Sequence, residues 1–166
     1  MAHSAGNTLQ SQSQSLVCGG DGPRFERSCY VWGSEGWERG GVRLREARHQ
    51  HVSWPRSEGL LLLGGQFPAG SSTELVSWDG TRTEESFTMK YWETSLACGV
   101  ADTETETIII TGGWLTKTTV SSYSTRGWEE DLPSLTTGRY SHGCAQYFSS
   151  DGSKVTQYNS AREDSP

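Results

Sequence analysis

The stretch that decides the fold is Leu60-Leu61-Leu62-Leu63-Gly64-Gly65, a short apolar run closed by a glycine pair. It has no polar alternation, so it reads as a strand buried on both faces. The same unit occurs upstream as Leu16-Val17-Cys18-Gly19-Gly20 and downstream as Ile108-Ile109-Ile110-Thr111-Gly112-Gly113. Gly19 to Gly64 is 45 positions and Gly64 to Gly112 is 48. A self-similar period in that range points to a repeat architecture.

Other landmarks keep step with the glycines. An aromatic follows each pair, at Trp32, Trp78 and Tyr123, and a second comes later, at Trp37, Phe87 and Trp128. Then comes Arg-x-x-His, at Arg48 to His51 and at Arg139 to His142; Trp37 to Arg48 and Trp128 to Arg139 are each 11 residues apart. In the middle unit Ser95-Leu96-Ala97-Cys98 is read in place of Arg-x-x-His. This order of signals resembles the Kelch repeat, over roughly residues 16–158. The resemblance implies an all-β chain of four-stranded antiparallel blades, in the wider superfamily of galactose oxidase-like propellers.

Counting strands by that pattern gives a polar tail expected to be disordered over 1–15, a partial blade over 16–44, blades over 48–91 and 95–132, a partial blade over 139–158, and a second disordered tail over 159–166. The first unit would hold three strands and the last two. The expected whole is an incomplete or open propeller of about three to four blades, where rings typically close with about 4 to 8. The chain is therefore expected to be a fragment of a longer protein, or to self-associate through its open blade edges.

The chain has 166 residues, only 33% of them hydrophobic, yet 20 Gly and 7 Trp. That profile suits short strands joined by turns, with aromatics supplying much of the packing. The glycine pairs have a structural reading: a sharp turn on a crowded face, with close backbone approach. They are not a phosphate cradle, because no Gly-x-x-x-x-Gly-Lys is present. Trp37, Trp78 and Trp128 are expected between blades. The formal net charge of −6 argues against nucleic acid and against an anionic membrane surface. No apolar run approaches the roughly 18 residues a membrane helix needs. The N-terminus lacks the basic end and apolar core of a signal peptide. Localisation stays unassigned.

The four cysteines, Cys18, Cys29, Cys98 and Cys144, have no zinc-site spacing. Cys18 and Cys29 flank one loop, so a simple hairpin would set them opposite each other. Opposed Cβ atoms lie about 4.5 to 5.5 Å apart against the roughly 3.5 to 4.5 Å a disulfide needs, so both the bonded and the free state stand open. Cys98 and Cys144 fall on different blades and are expected to be free.

His49, His51 and His142 would line the inner strands, but no carboxylate or cysteine is spaced to complete a metal site, so no metal or cofactor is expected. Some Kelch-type propellers are copper oxidases, and a metal-dependent oxidase-like site at the central channel is the alternative reading. The preferred one, implied by the resemblance, is a non-enzymatic protein-interaction scaffold. Its partner would meet the loops after the second strands, where Arg24, Phe25, Arg27, Phe67, Trp114 and Lys117 are residue types suited to interfaces.

Overall fold

The computed structural model describes residues 5–8, 15–20, 27–66, 70–90, 95–102, 105–141, 143–148 and 154–159. The expected residues Arg24, Phe25, Phe67 and His142 lie outside them. The described residues form antiparallel β-sheet without helix, in a propeller-like arrangement.

The first sheet is β1 (Ala5–Thr8), β2 (Ser15–Cys18), β3 (Ser28–Gly33) and β4 (Gly36–Arg43), paired in that order. The second is β5 (Val52–Pro55), β6 (Gly59–Leu63), β7 (Ser72–Ser77) and β8 (Thr83–Thr88). The third is β9 (Cys98–Asp102), β10 (Thr107–Thr111), β11 (Val120–Ser124) and β12 (Gly127–Leu132). A hairpin of β13 (Gly143–Phe148) and β14 (Lys154–Asn159) follows. The first strands of successive sheets approach one another: β1 meets β5, β5 meets β9, and β9 meets β13.

β1 is a correction. Ala5–Thr8 lies in the segment expected to be disordered, yet it pairs with β2 from Ala5 opposite Cys18 to Thr8 opposite Ser15. The first sheet therefore has four strands rather than three. Main-chain hydrogen bonding to an open edge supplies what the composition of this segment does not.

The Leu run shows why the second sheet needs neighbours. All of Gly59–Leu63 is buried. Successive side chains point to opposite faces. Leu60 and Leu62 join Leu16, Cys18, Cys29, Leu44, Val76 and Trp78 in a core between the first and second sheets. Leu61 and Leu63 join Val52, Trp54, Met89, Ile108, Ile110 and Tyr123 between the second and third. Each buried Leu is worth about 1.5 to 3 kcal/mol relative to exposure. One strand thus carries two interfaces.

The aromatics follow the same geometry. Trp78 is buried against the first sheet, its Nε1 donating to the Arg56 carbonyl at 2.9 Å. Tyr123 is buried against the second, stacked on Phe87 with ring centroids 6.0 Å apart. Trp32 holds the place of Tyr123 in the first sheet, and no described sheet precedes that one; Trp32 is half-exposed. Trp37 and Trp128, expected between blades, are 50% and 43% exposed. Each starts an outermost strand, at the rim. There Trp37 packs edge-on against Trp32, at 5.4 Å. Trp128 lies under Lys90 of the neighbouring sheet, whose Nζ is 4.0 Å from the ring centroid. Leu16, at the first sheet's edge of the pattern, faces inward and is fully buried, whereas Tyr30 on the other face is exposed.

Candidate functional site

The glycine pairs share one conformation. Gly19, Gly64 and Gly112 have φ of 73°, 60° and 63°, and Gly20, Gly65 and Gly113 have 134°, 119° and 116°. These values exclude most side chains. Space excludes them too: a Cβ on Gly19 would stand 2.3 Å from the Arg48 carbonyl oxygen, and one on Gly65 would stand 2.9 Å from that of His49. Gly20 N donates to the Arg48 oxygen at 3.0 Å, and Gly113 N donates to the Arg139 oxygen at 3.0 Å. The pairs at 19–20 and 112–113 are therefore seats for the entry to the next sheet, while Gly65 packs against the entry to its own.

Arg48 is buried at this junction. Its Nη1 donates to the Gly64 oxygen at 2.9 Å and the Ser72 oxygen at 3.1 Å. Its Nη2 donates to Ser72 Oγ at 3.1 Å and Glu74 Oε2 at 3.4 Å. Glu74, equally buried, accepts from Arg45 N at 2.8 Å and from the Thr83 hydroxyl. Burial lowers the Arg48 pKa, while Glu74 and Glu46 act to raise it. A charge so enclosed persists only with this many partners. The cluster is a tie between strands, with both terminal nitrogens of Arg48 met by protein acceptors.

His51 packs against the glycine seats: Cβ atoms placed on Gly19 and Gly65 would each come within 3.3 Å of it. Neither ring nitrogen finds a hydrogen-bond partner in the structure. Burial, then the Arg48 and His49 charges, lower its pKa to about 3. It stays neutral near neutral pH and carries no imidazolium proton there. His49 Nε2 is 2.8 Å from Gln66 Oε1. Gln50 between them has φ of 56°, which interrupts the strand alternation that the sequence suggests.

That backbone feature recurs at Leu96 (61°) and Ser141 (51°). Leu96 N donates to the Gln50 oxygen at 3.1 Å, and Ser141 N donates to the Leu96 oxygen at 2.9 Å. The three positions are thus equivalent, and Ala97, not Cys98, stands in the place of His51. The sequence reading of Ser95-Leu96-Ala97-Cys98 as the Arg-x-x-His equivalent is one residue late. Cys98 instead opens β9 and is bonded to Cys144 on β13, with Cα atoms 5.8 Å apart. The expectation that these two cysteines stay free is overturned: innermost strands of consecutive sheets converge, so residues on separate sheets meet. Cys18 and Cys29 are bonded as well, directly opposed on β2 and β3.

Of the loop residues expected at an interface, three are described. Arg27 is exposed, but its Nε donates to the Leu44 oxygen at 2.5 Å, tying it to its own sheet. Trp114 and Lys117 come together with Tyr140, which the sequence reading missed. The Trp114 and Tyr140 rings meet edge to face at 5.0 Å, and Lys117 Nζ lies 5.9 Å and 5.2 Å from their centroids. Trp114 is half-exposed and Leu115 beside it more so. The loop is anchored by Trp114 N to the Ser95 oxygen at 2.9 Å and by Arg139 N to the Lys117 oxygen at 2.8 Å. It offers two aromatic faces and a cation on a fixed base. A separate cleft of roughly 500 Å³ at the outer rim is lined by Val42, Glu58, Leu75, Ser77, Arg82 and Glu84. Among the described residues no group of three His, Cys, Asp or Glu could hold a metal.

No family model matches the chain, and no curated protein does. The solved structure of YjhT is similar to it, with a TM-score of 0.65 at 10% sequence identity, over 93% of this chain and 64% of that one. The chain thus spans somewhat under two thirds of that protein's length. At such identity the likeness bears on the fold alone, an all-β, propeller-like arrangement of antiparallel sheets.

Proposed function

We propose that the chain is a Kelch-type open propeller of about three to four blades whose function is to bind a partner protein through the loops of one face. The observation that carries this reading is the Trp114–Tyr140–Lys117 cluster. Trp and Tyr are among the residue types that dominate interface energetics, and a neighbouring lysine adds a charge that steers encounter. Here Trp114 is half-exposed with Tyr140 and Lys117 partly buried beside it, and backbone hydrogen bonds to Ser95 and Arg139 hold their loop in place. The buried polar groups serve the fold: the terminal nitrogens of Arg48 and the Glu74 carboxylate hold strands together, and His51 is buried and neutral. The acidic net charge of −6 favours a protein over nucleic acid or an anionic membrane as partner.

The test compares wild type with Trp114→Ala and Lys117→Glu as baits in cells that express the protein. The reading expects a defined partner captured by wild type and lost from both variants, with their circular dichroism unchanged. An identical captured set for all three sinks it. So does purified protein carrying stoichiometric copper or zinc with oxidase turnover, which would favour the channel-centred enzyme.

A further inference from the structure

We infer that the Cys98–Cys144 bond is a thiol-exchange site: a dithiol reductant opens it while Cys18–Cys29 stays closed, and opening it loosens the segment that carries Tyr140. Its bearing on partner binding rests on the function proposed above; the chemistry and the loosening do not.

The two bonds differ in place. Cys18 and Cys29 are fully buried in the core between the first and second sheets. They face each other on β2 and β3, strands that main-chain pairing already joins. Cys98 and Cys144 are both partly exposed. They join β9 to β13, which belong to different sheets. A dithiol therefore reaches the second bond without opening a core, and that bond is the one no strand ladder backs up. Exposed disulfides are the labile ones, and buried ones resist exchange.

A neighbouring group sets the direction of attack. The Thr111 hydroxyl lies 3.6 Å from Cys144 Sγ. A disulfide sulfur carries no hydrogen, so the hydroxyl is the donor. That contact favours negative charge on Cys144 and makes it the better leaving group. The reductant's thiolate attacks Cys98 Sγ, forming a mixed disulfide and expelling the Cys144 thiolate. The reductant's second thiol, once deprotonated, displaces the Cys98 thiolate in turn. The two cysteines take up two protons and two electrons, and the dithiol leaves as a disulfide.

The consequence falls on the aromatic corner. Tyr140 stands four residues before Cys144. On either side of it Arg139 N donates to the Lys117 oxygen at 2.8 Å and Ser141 N donates to the Leu96 oxygen at 2.9 Å. With the bond closed, β13 is fixed to β9 and this segment is fixed with it. Once it opens, Tyr140 is kept beside Trp114 without a covalent tie.

The probe is dithiothreitol, added in graded amounts to the whole chain, with N-ethylmaleimide trapping and peptide mass mapping. Cys98 and Cys144 should become alkylated at least tenfold faster than Cys18 and Cys29. In the selectively reduced chain the Arg139 and Ser141 amides should exchange with solvent at least tenfold faster, with circular dichroism unchanged. The double variant Cys98→Ser, Cys144→Ser should show that fast exchange without reductant. Thr111→Val should slow the opening at least threefold. Equal alkylation rates at all four cysteines overturn the proposal, as do free Cys98 and Cys144 thiols in air-oxidised protein. Reduction that leaves the Arg139 and Ser141 amides unchanged, or that unfolds the sheets, makes the bond a structural staple and overturns it too. An unaltered opening rate in Thr111→Val overturns the direction of attack. Alkylation and exchange are read on the chain alone, so a failure of partner capture leaves them standing, and their failure leaves partner capture standing.

Discussion

Acid should destabilise this protein through His51 as the pH falls from 7 to 5. In the folded state burial and the neighbouring Arg48 hold the His51 pKa at about 3, against 6.5 in the unfolded chain. The unfolded state then binds a proton that the folded state refuses. Stability rises with pH wherever the unfolded state binds more protons. The contribution is complete above the unfolded pKa and is lost as pH falls from about 6.5 toward about 3. Between pH 7 and pH 5 the expected loss is about 2 kcal/mol. Asp79, lowered from 3.8 to about 2 by its hydrogen bonds from Ser77 and Thr81, loses its contribution only below that window. Glu58 is lowered too, chiefly by the hydrogen bond from Ser57. The assay is urea unfolding monitored by tryptophan fluorescence at pH 7, 6 and 5, for wild type and His51→Gln. The variant should lose most of the pH slope whatever its stability at pH 7. An undiminished slope in the variant would show that His51 is not the group, and that its buried, unpartnered ring has been misread.

The two-sided burial of β6 predicts that Leu61→Ala and Leu62→Ala each cost about 2 to 5 kcal/mol in denaturant unfolding; a silent substitution at either position refutes the corresponding interface. Gly19→Ala should cost well over 2 kcal/mol, because strain and collision with the Arg48 carbonyl act together, whereas Gly36→Ala, with φ of 114° in open space, should cost about 1 kcal/mol from backbone strain alone. Equal losses at the two would remove the glycine seat as an explanation. Loop-closure entropy assigns about 4 kcal/mol to the Cys98–Cys144 bond and about 3 kcal/mol to Cys18–Cys29, from separations of 46 and 11 residues. Cys98→Ser should therefore lower the melting temperature more than Cys18→Ser, as calorimetry would read directly.

The strands were legible where they carry their own signal. The apolar runs at 60–63 and 108–110 end at glycines whose φ requires glycine, and both facts are visible in residue types. What escaped depends on neighbours. Ala5–Thr8 has no pattern of its own and is a strand because β2 offers it an edge. The Cys98–Cys144 bond exists because β9 and β13 converge, which no spacing of 46 residues reveals. Leu96 takes a left-handed conformation that its side chain disfavours, so the Arg-x-x-His frame slipped by one residue there. Trp37 and Trp128 read as core by size, and their place at the rim leaves them half-exposed. Tyr140 gained its role only when the loop at 114–117 was brought to it. Ser72 and Glu74, the partners of Arg48, lie on a strand whose Ser-x-Glu has no counterpart in the other units.

The Leu run has a further consequence for alignment during folding. Sliding β6 by one residue replaces leucine with leucine on both faces, so hydrophobicity barely distinguishes the right pairing from the wrong one. The strand is indexed instead by its ends. At Gly59 a side chain would stand 2.1 Å from the Val76 oxygen, and at Gly65 one would stand 2.9 Å from that of His49. A slip in either direction pushes a leucine or a glutamate into one of these gaps. The glycines thus act as position marks, and the leucines between them, interchangeable with one another, supply the adhesion.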